Sequence, residues 1–219
     1  DGTRRLLDAV QPRSRVVYAS SAMAADASPK RGDACGRQAY ANAKRAAEML
    51  VDAHAQRGAS GISLRLQALA GAHRTPVAGL IGVALRAARD GTSMQISQSA
   101  PPREYLHIAD AAAAVVAACL TPFEGYTVLD VGSGHPHSVP AVVAAAERVT
   151  GRSIAQQSSR PRVEPAPKIS NLANAAQLLD WRPRRSGLHQ IVADQWEDMR
   201  RHDLRNVTLP TESNQRDSR

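Results

Sequence analysis

Arg15-Val-Val-Tyr-Ala-Ser-Ser21 is a run of apolar and β-branched residues that closes on paired hydroxyls, and Tyr40-Ala-Asn-Ala-Lys44 follows it. The first reads as a short buried strand over Arg15–Ser20. The second places a tyrosine and a lysine four residues apart, on one face of a helix and one turn from each other. An ammonium in that position favours a phenolate, and so draws a tyrosine, with its ordinary pKa of about 10, toward the range of an acid–base catalyst. A serine hydroxyl at the end of the neighbouring strand can polarise a substrate C–O group beside that phenol.

Outward from this pair, strands and helices alternate. Upstream, Gly2 to Val10 reads as an amphipathic helix with Leu6, Leu7 and Val10 on one face, stopped by Pro12. Downstream, a loop over Ala24 to Arg37 leads to a helix from Gln38 to Gln56, closed by Gly58 and Gly61, and then a strand over Ile62 to Leu66. Val77 to Arg89 is helical. Met94 to Ser97 and Tyr105 to Ile108 are short strands, and Asp110 is expected to cap an alanine-rich helix running to Leu120. Thr127 to Val131 is a third core strand, turned by Gly132 and Gly134. Ser138 is the N-cap of Val139 to Val149, where Pro140 is tolerated in the first turn. Ile154 to Val163 shows no strand pattern, Asn171 to Leu179 and Leu188 to His202 are helices, and 206–219 reads as a disordered tail. Strands separated by crossover helices imply an α/β fold with a mostly parallel sheet covered on both faces.

Composition narrows the function classes. With 219 residues, 43% hydrophobic and 3% aromatic, the chain builds its core from Ala, Val, Leu and Ile. The net charge of +8 comes from scattered arginines, the lysines being only Lys30, Lys44 and Lys168. Without a basic stripe interleaved with stacking aromatics, nucleic acid is not an expected partner. Cys35 and Cys119 form neither a metal spacing nor a disulfide framework, and His135 with His137 lacks a third ligand, so no metal is expected. No apolar run reaches the roughly 18 residues that span a bilayer. The expectation is a cytoplasmic protein with no membrane partner.

Further motifs stand in a fixed order along about 1–199. These are Asp1-Gly-Thr-Arg-Arg-Leu-Leu-Asp-Ala-Val10, Val16-Val-Tyr-Ala-Ser-Ser21, Tyr40-Ala-Asn-Ala-Lys44, Gly61-Ile-Ser-Leu-Arg65, Arg103-Glu-Tyr-Leu-His-Ile-Ala-Asp110, Arg160-Pro161 and Leu178-Leu-Asp-Trp181-Arg-Pro183. Together they resemble the NAD-dependent epimerase/dehydratase family, the extended branch of the short-chain dehydrogenase/reductases typified by UDP-galactose 4-epimerase. Three places depart from the family pattern: Ala24-Ala25-Asp26 stands for V-Y-G, Ala68 for an asparagine, and Arg162-Val163 for the Gly-Asp of R-P-G-D.

The resemblance implies part of a Rossmann-like parallel sheet, its C-terminal portion, with a small substrate-binding lobe, in one unit over 1–205 whose lobe is mainly 77–108 and 160–183. It implies an NAD(P)-dependent epimerase, dehydratase or reductase acting on a nucleotide sugar, with Ser21, Tyr40 and Lys44 catalytic. Ser20, Tyr40, Lys44 and Arg65 would face the cofactor, NAD or NADP, and Arg103 and Arg160 would clamp the substrate diphosphate. A homodimer is possible on the same grounds. The 219 residues hold no G-x-x-G-x-x-G turn of the kind that cradles a dinucleotide pyrophosphate. The expectation is therefore that the N-terminal dinucleotide-binding portion is missing, and that this chain alone binds NAD(P) weakly and turns nothing over. Two alternatives stand beside it. One is a non-catalytic remnant that binds sugar nucleotides. The other is an S-adenosylmethionine-dependent methyltransferase, for which Val128-Leu-Asp-Val-Gly-Ser-Gly134 would be the cofactor loop.

Overall fold

The computed structural model describes residues 2–27, 36–72, 79–97, 100–159 and 169–207. In chain order the helices are α1 (Gly2–Ala9), α2 (Arg37–Ala55), α3 (Gly79–Asp90), α4 (Ile108–Leu120), α5 (Val139–Thr150), α6 (Ala173–Leu179) and α7 (Leu188–Val207). The strands are β1 (Arg15–Ser21), β2 (Ser60–Leu66), β3 (Ala68–Ala70), β4 (Met94–Ile96), β5 (Arg103–His107), β6 (Gly125–Val131), β7 (Pro136–His137) and β8 (Gln156–Ser158).

The fold is α/β, built on a parallel sheet in the order β1-β2-β6. Val17 pairs with Ile62, and Ile62 with Thr127, so the three expected strands lie side by side and in register. The pleat of β2 explains the two covered faces. Ile62 and Leu64 point into a core with Leu129, Ala111, Ala114 and Ala118, the last three from α4. Gly61 and Arg65 point to the other face, where α2 lies. A Cβ on Gly61 would stand 2.7 Å from Val51 Cγ1, so only glycine lets α2 approach this closely.

A second sheet, β3-β5-β7, starts where β2 ends; β3 runs parallel to β5, and β7 antiparallel to it. A second core joins α3, α5 and α7 through Ile81, Leu85, Val142 and Ile191. Ser138 caps α5 by accepting from Ala141 N–H, and Gly151 closes it in the left-handed region at φ 68°.

Several expectations need correction. The region Ile154–Val163 does contain a strand: β8 pairs with β4, and Gln95 donates across the pair to Gln157. Its three residues alternate no apolar face, so they give no sequence signal. β3, of three residues, and β7, of two, are no longer. The loop expected from Ala24 begins instead as a 3-10 helix over Ala22–Asp26. Asp110 is not the cap of α4. His107 is, with Nδ1 accepting from Ala109 N–H while Nε2 faces Asp194 Oδ2 at 2.9 Å. Asp110 instead accepts from Ser186 Oγ and Arg185 N–H, tying α4 to the approach to α7. Ala175, Leu179 and Trp181 pack with the parallel sheet, and Trp181 Nε1 donates to the carbonyl of Asp110. Helix α7 runs to Val207, and 208–219 lie outside the described residues.

Candidate active site

β1 and α2 build the site from two directions. β1 delivers its C-terminal serines to the end of the sheet, and α2 packs beside it with Tyr40 and Lys44 one turn apart. Lys44 Nζ donates to the carbonyl of Ala19 at 2.8 Å, so the side chain crosses the strand end. There its ammonium lies 5.1 Å from the centre of the Tyr18 ring and 5.8 Å from that of Tyr40. Tyr40 is 48% exposed and open to an incoming ligand. Tyr18 differs: burial first, and then Tyr40 and the Glu48 charge, push its phenol above the ordinary tyrosine range. Ser21 is extended, and its Oγ accepts from Met23 N–H to cap the 3-10 helix.

Apart from Tyr18, these groups line one cavity of about 470 Å³. Ser21, Tyr40 and Lys44 line it together with Gln67 from β2's end and Arg103 and Glu104 from β5. Four residues expected in the site, Ser21, Tyr40, Lys44 and Arg103, are thus brought together from three separate stretches of chain.

Two others have different work. Ser20 contributes to the cavity wall, but its hydroxyl is buried and donates to Glu48 Oε1 at 2.7 Å. Arg65 is not among the cavity residues. Its guanidinium forks onto Glu48 at 2.9 and 2.7 Å, with Arg45 adding a third donor at 3.0 Å. The pleat of β2 sends position 65 to the α2 face, where a fully buried carboxylate claims it, so a contact between its side chain and a cofactor in this cavity is corrected to a structural pairing. Burial by itself pushes the Glu48 carboxyl upward, but the hydrogen bonds from Arg65, Ser20 and Arg45 and the Arg65 charge outweigh it. The carboxyl is held below its usual range. Arg160 lies outside the described residues.

Sequence reasoning overlooked Glu48, Gln67 and Glu104. Glu48 carried a usable signal, since 40, 44 and 48 recur at helical spacing on one face. The glycine loop after β6 was a candidate cofactor loop for methyl transfer. A Cβ on Gly132 would overlap Glu104 Oε1 and Ser170 Oγ, so protein atoms already fill the space its bare backbone leaves. Among the described residues no cluster of three His, Cys, Asp or Glu could hold a metal, and no helix is long and apolar enough to cross a membrane.

A family model described as the NAD dependent epimerase/dehydratase family matches residues 1–132. A UDP-glucose 4-epimerase of Corynebacterium glutamicum is 38% identical over 96 residues, which are 43% of this chain and 29% of that protein. One of Yersinia pestis is 35% identical over 97 residues, 43% of this chain and 28% of that protein. The match with these relatives therefore spans under a third of their length. Among solved structures, MoeE5 in complex with UDP-glucuronic acid and NAD superposes with a TM-score of 0.78 at 26% identity, covering 91% of this chain and 70% of that one. The UDP-glucose 4-epimerase of Thermotoga maritima with UDP-glucose gives 0.77 at 20% identity, covering 92% and 69%, a likeness of fold.

Proposed function

The chain belongs to the NAD dependent epimerase/dehydratase family, and on that premise we propose that its cavity receives a nucleotide sugar, with Tyr40, Ser21 and Lys44 as the proton-handling set. The observation that supports this most is the convergence of those three residues and Arg103 on one cavity. The domain reading adopted with it is one unit over 1–205, with a substrate lobe drawn mainly from 77–108 and 160–183, although Ala175, Leu179 and Trp181 of the second stretch pack on the parallel sheet.

Each residue then has a physical task. Arg103 offers a planar fork of donors that matches diphosphate oxygens, and it lines the same cavity as the serine and tyrosine. Tyr40 accepts the proton of a sugar hydroxyl as that carbon is oxidised. Ser21 Oγ, already accepting from Met23 N–H, keeps its own proton to donate to the same sugar oxygen. Lys44 holds a positive charge near the phenol at a place fixed by the Ala19 carbonyl.

The chain's residues fit one end of a nicotinamide dinucleotide. Lys44 and Tyr40 are donors suited to the hydroxyls of the nicotinamide ribose; Ser20 and Arg65 have their polar groups committed to Glu48. No G-x-x-G-x-x-G turn among the 219 residues offers backbone donors to a pyrophosphate. When bound, NAD supplies a hydride acceptor for the carbinol carbon. These 219 residues are accordingly expected to take up a nucleotide sugar far better than NAD or NADP and to turn over little or nothing unaided. That is also the behaviour of a sugar-nucleotide-binding remnant.

Titration calorimetry of the 219-residue chain tests this. UDP-glucose is expected to bind at micromolar concentration and Arg103→Ala to weaken it at least tenfold, whereas NAD gives no heat below millimolar. A folded chain that ignores UDP-sugars, or an Arg103→Ala variant that binds them as well as wild type, overturns the proposal. Micromolar binding of NAD or NADP overturns the part that concerns the dinucleotide.

A further inference from the structure

We infer that Glu104 is the positioning residue that sets Arg103 for a diphosphate, an inference that rests on the nucleotide-sugar reading of the cavity. Glu104 follows Arg103 on β5 and is buried, only 2% of the residue being exposed. A buried carboxylate needs donors, and this one has two from backbone. Gly134 N–H reaches Oε1 at 2.7 Å and Ser170 N–H reaches Oε2 at 3.0 Å. One side chain thereby ties β5 to the turn after β6 and to the segment that enters α6. Gln67 Nε2, at the end of β2, donates to Ser170 Oγ at 3.1 Å and joins the same knot.

The knot is built around a missing side chain. A Cβ at Gly132 would overlap both Glu104 Oε1 and Ser170 Oγ and stand 2.8 Å from Gln67 Cγ. The contact with Arg103 is through one peptide bond, so the lateral position of the guanidinium's base is set by where Glu104 is held. The pairing of β5 with β3 begins only at Tyr105, and with β7 it is limited to Arg103–His137 and Glu104–Pro136. The two charge-assisted hydrogen bonds are fixed points one residue from Arg103.

Replacement by glutamine leaves one acceptor oxygen where two N–H groups converge, and turns an NH₂ toward the other donor. Glu104→Gln is expected to lower affinity for UDP about tenfold while leaving uridine, which has no diphosphate, within twofold. In an Arg103→Ala background the same substitution is expected to cost no further UDP affinity, as coupling through one residue requires. Gly132→Ala, whose Cβ displaces the carboxylate without removing it, is expected to give the same selective loss and serves if Glu104→Gln fails to fold. Calorimetry with UDP and uridine on the four variants and wild type, with melting curves to confirm folding, decides it. Equal losses for UDP and uridine would show a purely structural role and overturn the inference, as would additive losses in the double variant. If wild type binds UDP, Arg103→Ala weakens it and Glu104→Gln does not, this inference fails alone. If wild type does not bind UDP, the nucleotide-sugar reading fails with it.

Discussion

Glu48→Ala is expected to destabilise the fold by about 3–5 kcal/mol, the cost of stripping one partner from a buried, hydrogen-bonded ion pair. Its carboxylate is fully buried between α2 and the sheet and takes donors from Ser20, Arg65 and Arg45. Removing it orphans the buried Ser20 hydroxyl and leaves the Arg65 guanidinium, 17% exposed, without its counter-charge. Arg45 is 47% exposed and adds little, because solvent screens it. For a chain of this length the melting temperature should fall by about 10 °C or more. The pH dependence has a definite sign. The folded carboxyl lies below its unfolded value, so its contribution is full above the ordinary carboxylate range and fades as pH falls through the folded pKa. Wild type and Glu48→Ala should therefore differ most at neutral pH and converge in strong acid. Urea unfolding at pH 7 and below pH 4 measures both; a neutral-pH loss under 1 kcal/mol, or a gap that widens in acid, would refute it.

The same residue shows what sequence can and cannot convey. Helical spacing places 40, 44 and 48 on one face, and the alternation of β2 places 61, 63 and 65 on the opposite face from Ile62 and Leu64. Both patterns are local, because helix and strand periods are properties of the backbone. That position 48 meets 20 and 65 is not local; it follows from the sheet register Ser20↔Arg65 and from the close approach that Gly61 permits. The family resemblance implies a cofactor contact at Arg65, whereas its guanidinium is paired with Glu48. Ser21, Tyr40, Lys44 and Arg103 were legible because their chemistry is unusual in order and spacing. Glu104 was not, since its partners are backbone N–H groups, which any residue supplies. β7 and β8 were missed because strands of two and three residues hold too few positions to alternate.

Tyr40→Phe is expected to lower turnover by about 10²–10⁴-fold in any preparation of this protein that converts a UDP-sugar with added NAD. The substitution deletes one oxygen and keeps the ring, so Lys44 retains both its Ala19 carbonyl and the aromatic faces it lies over. UDP-sugar affinity should stay within about twofold, because on the proposed reading the diphosphate is held by Arg103 and not by the phenol. Tyr18→Phe is the matched control. Its phenol also lies under the Lys44 ammonium, but burial first, and then the neighbouring Tyr40 and Glu48, keep it above the ordinary range, and it is not among the cavity residues. Losing that hydroxyl should leave turnover within threefold. Ser21→Ala should fall between the two, about 10–100-fold down, since on the proposed reading it removes a hydrogen bond to the reacting oxygen but no proton acceptor. Steady-state kcat and KM for the three variants separate the roles. Turnover above a tenth of wild type in Tyr40→Phe, or an equal loss in Tyr18→Phe, would show that the proton leaves by another route.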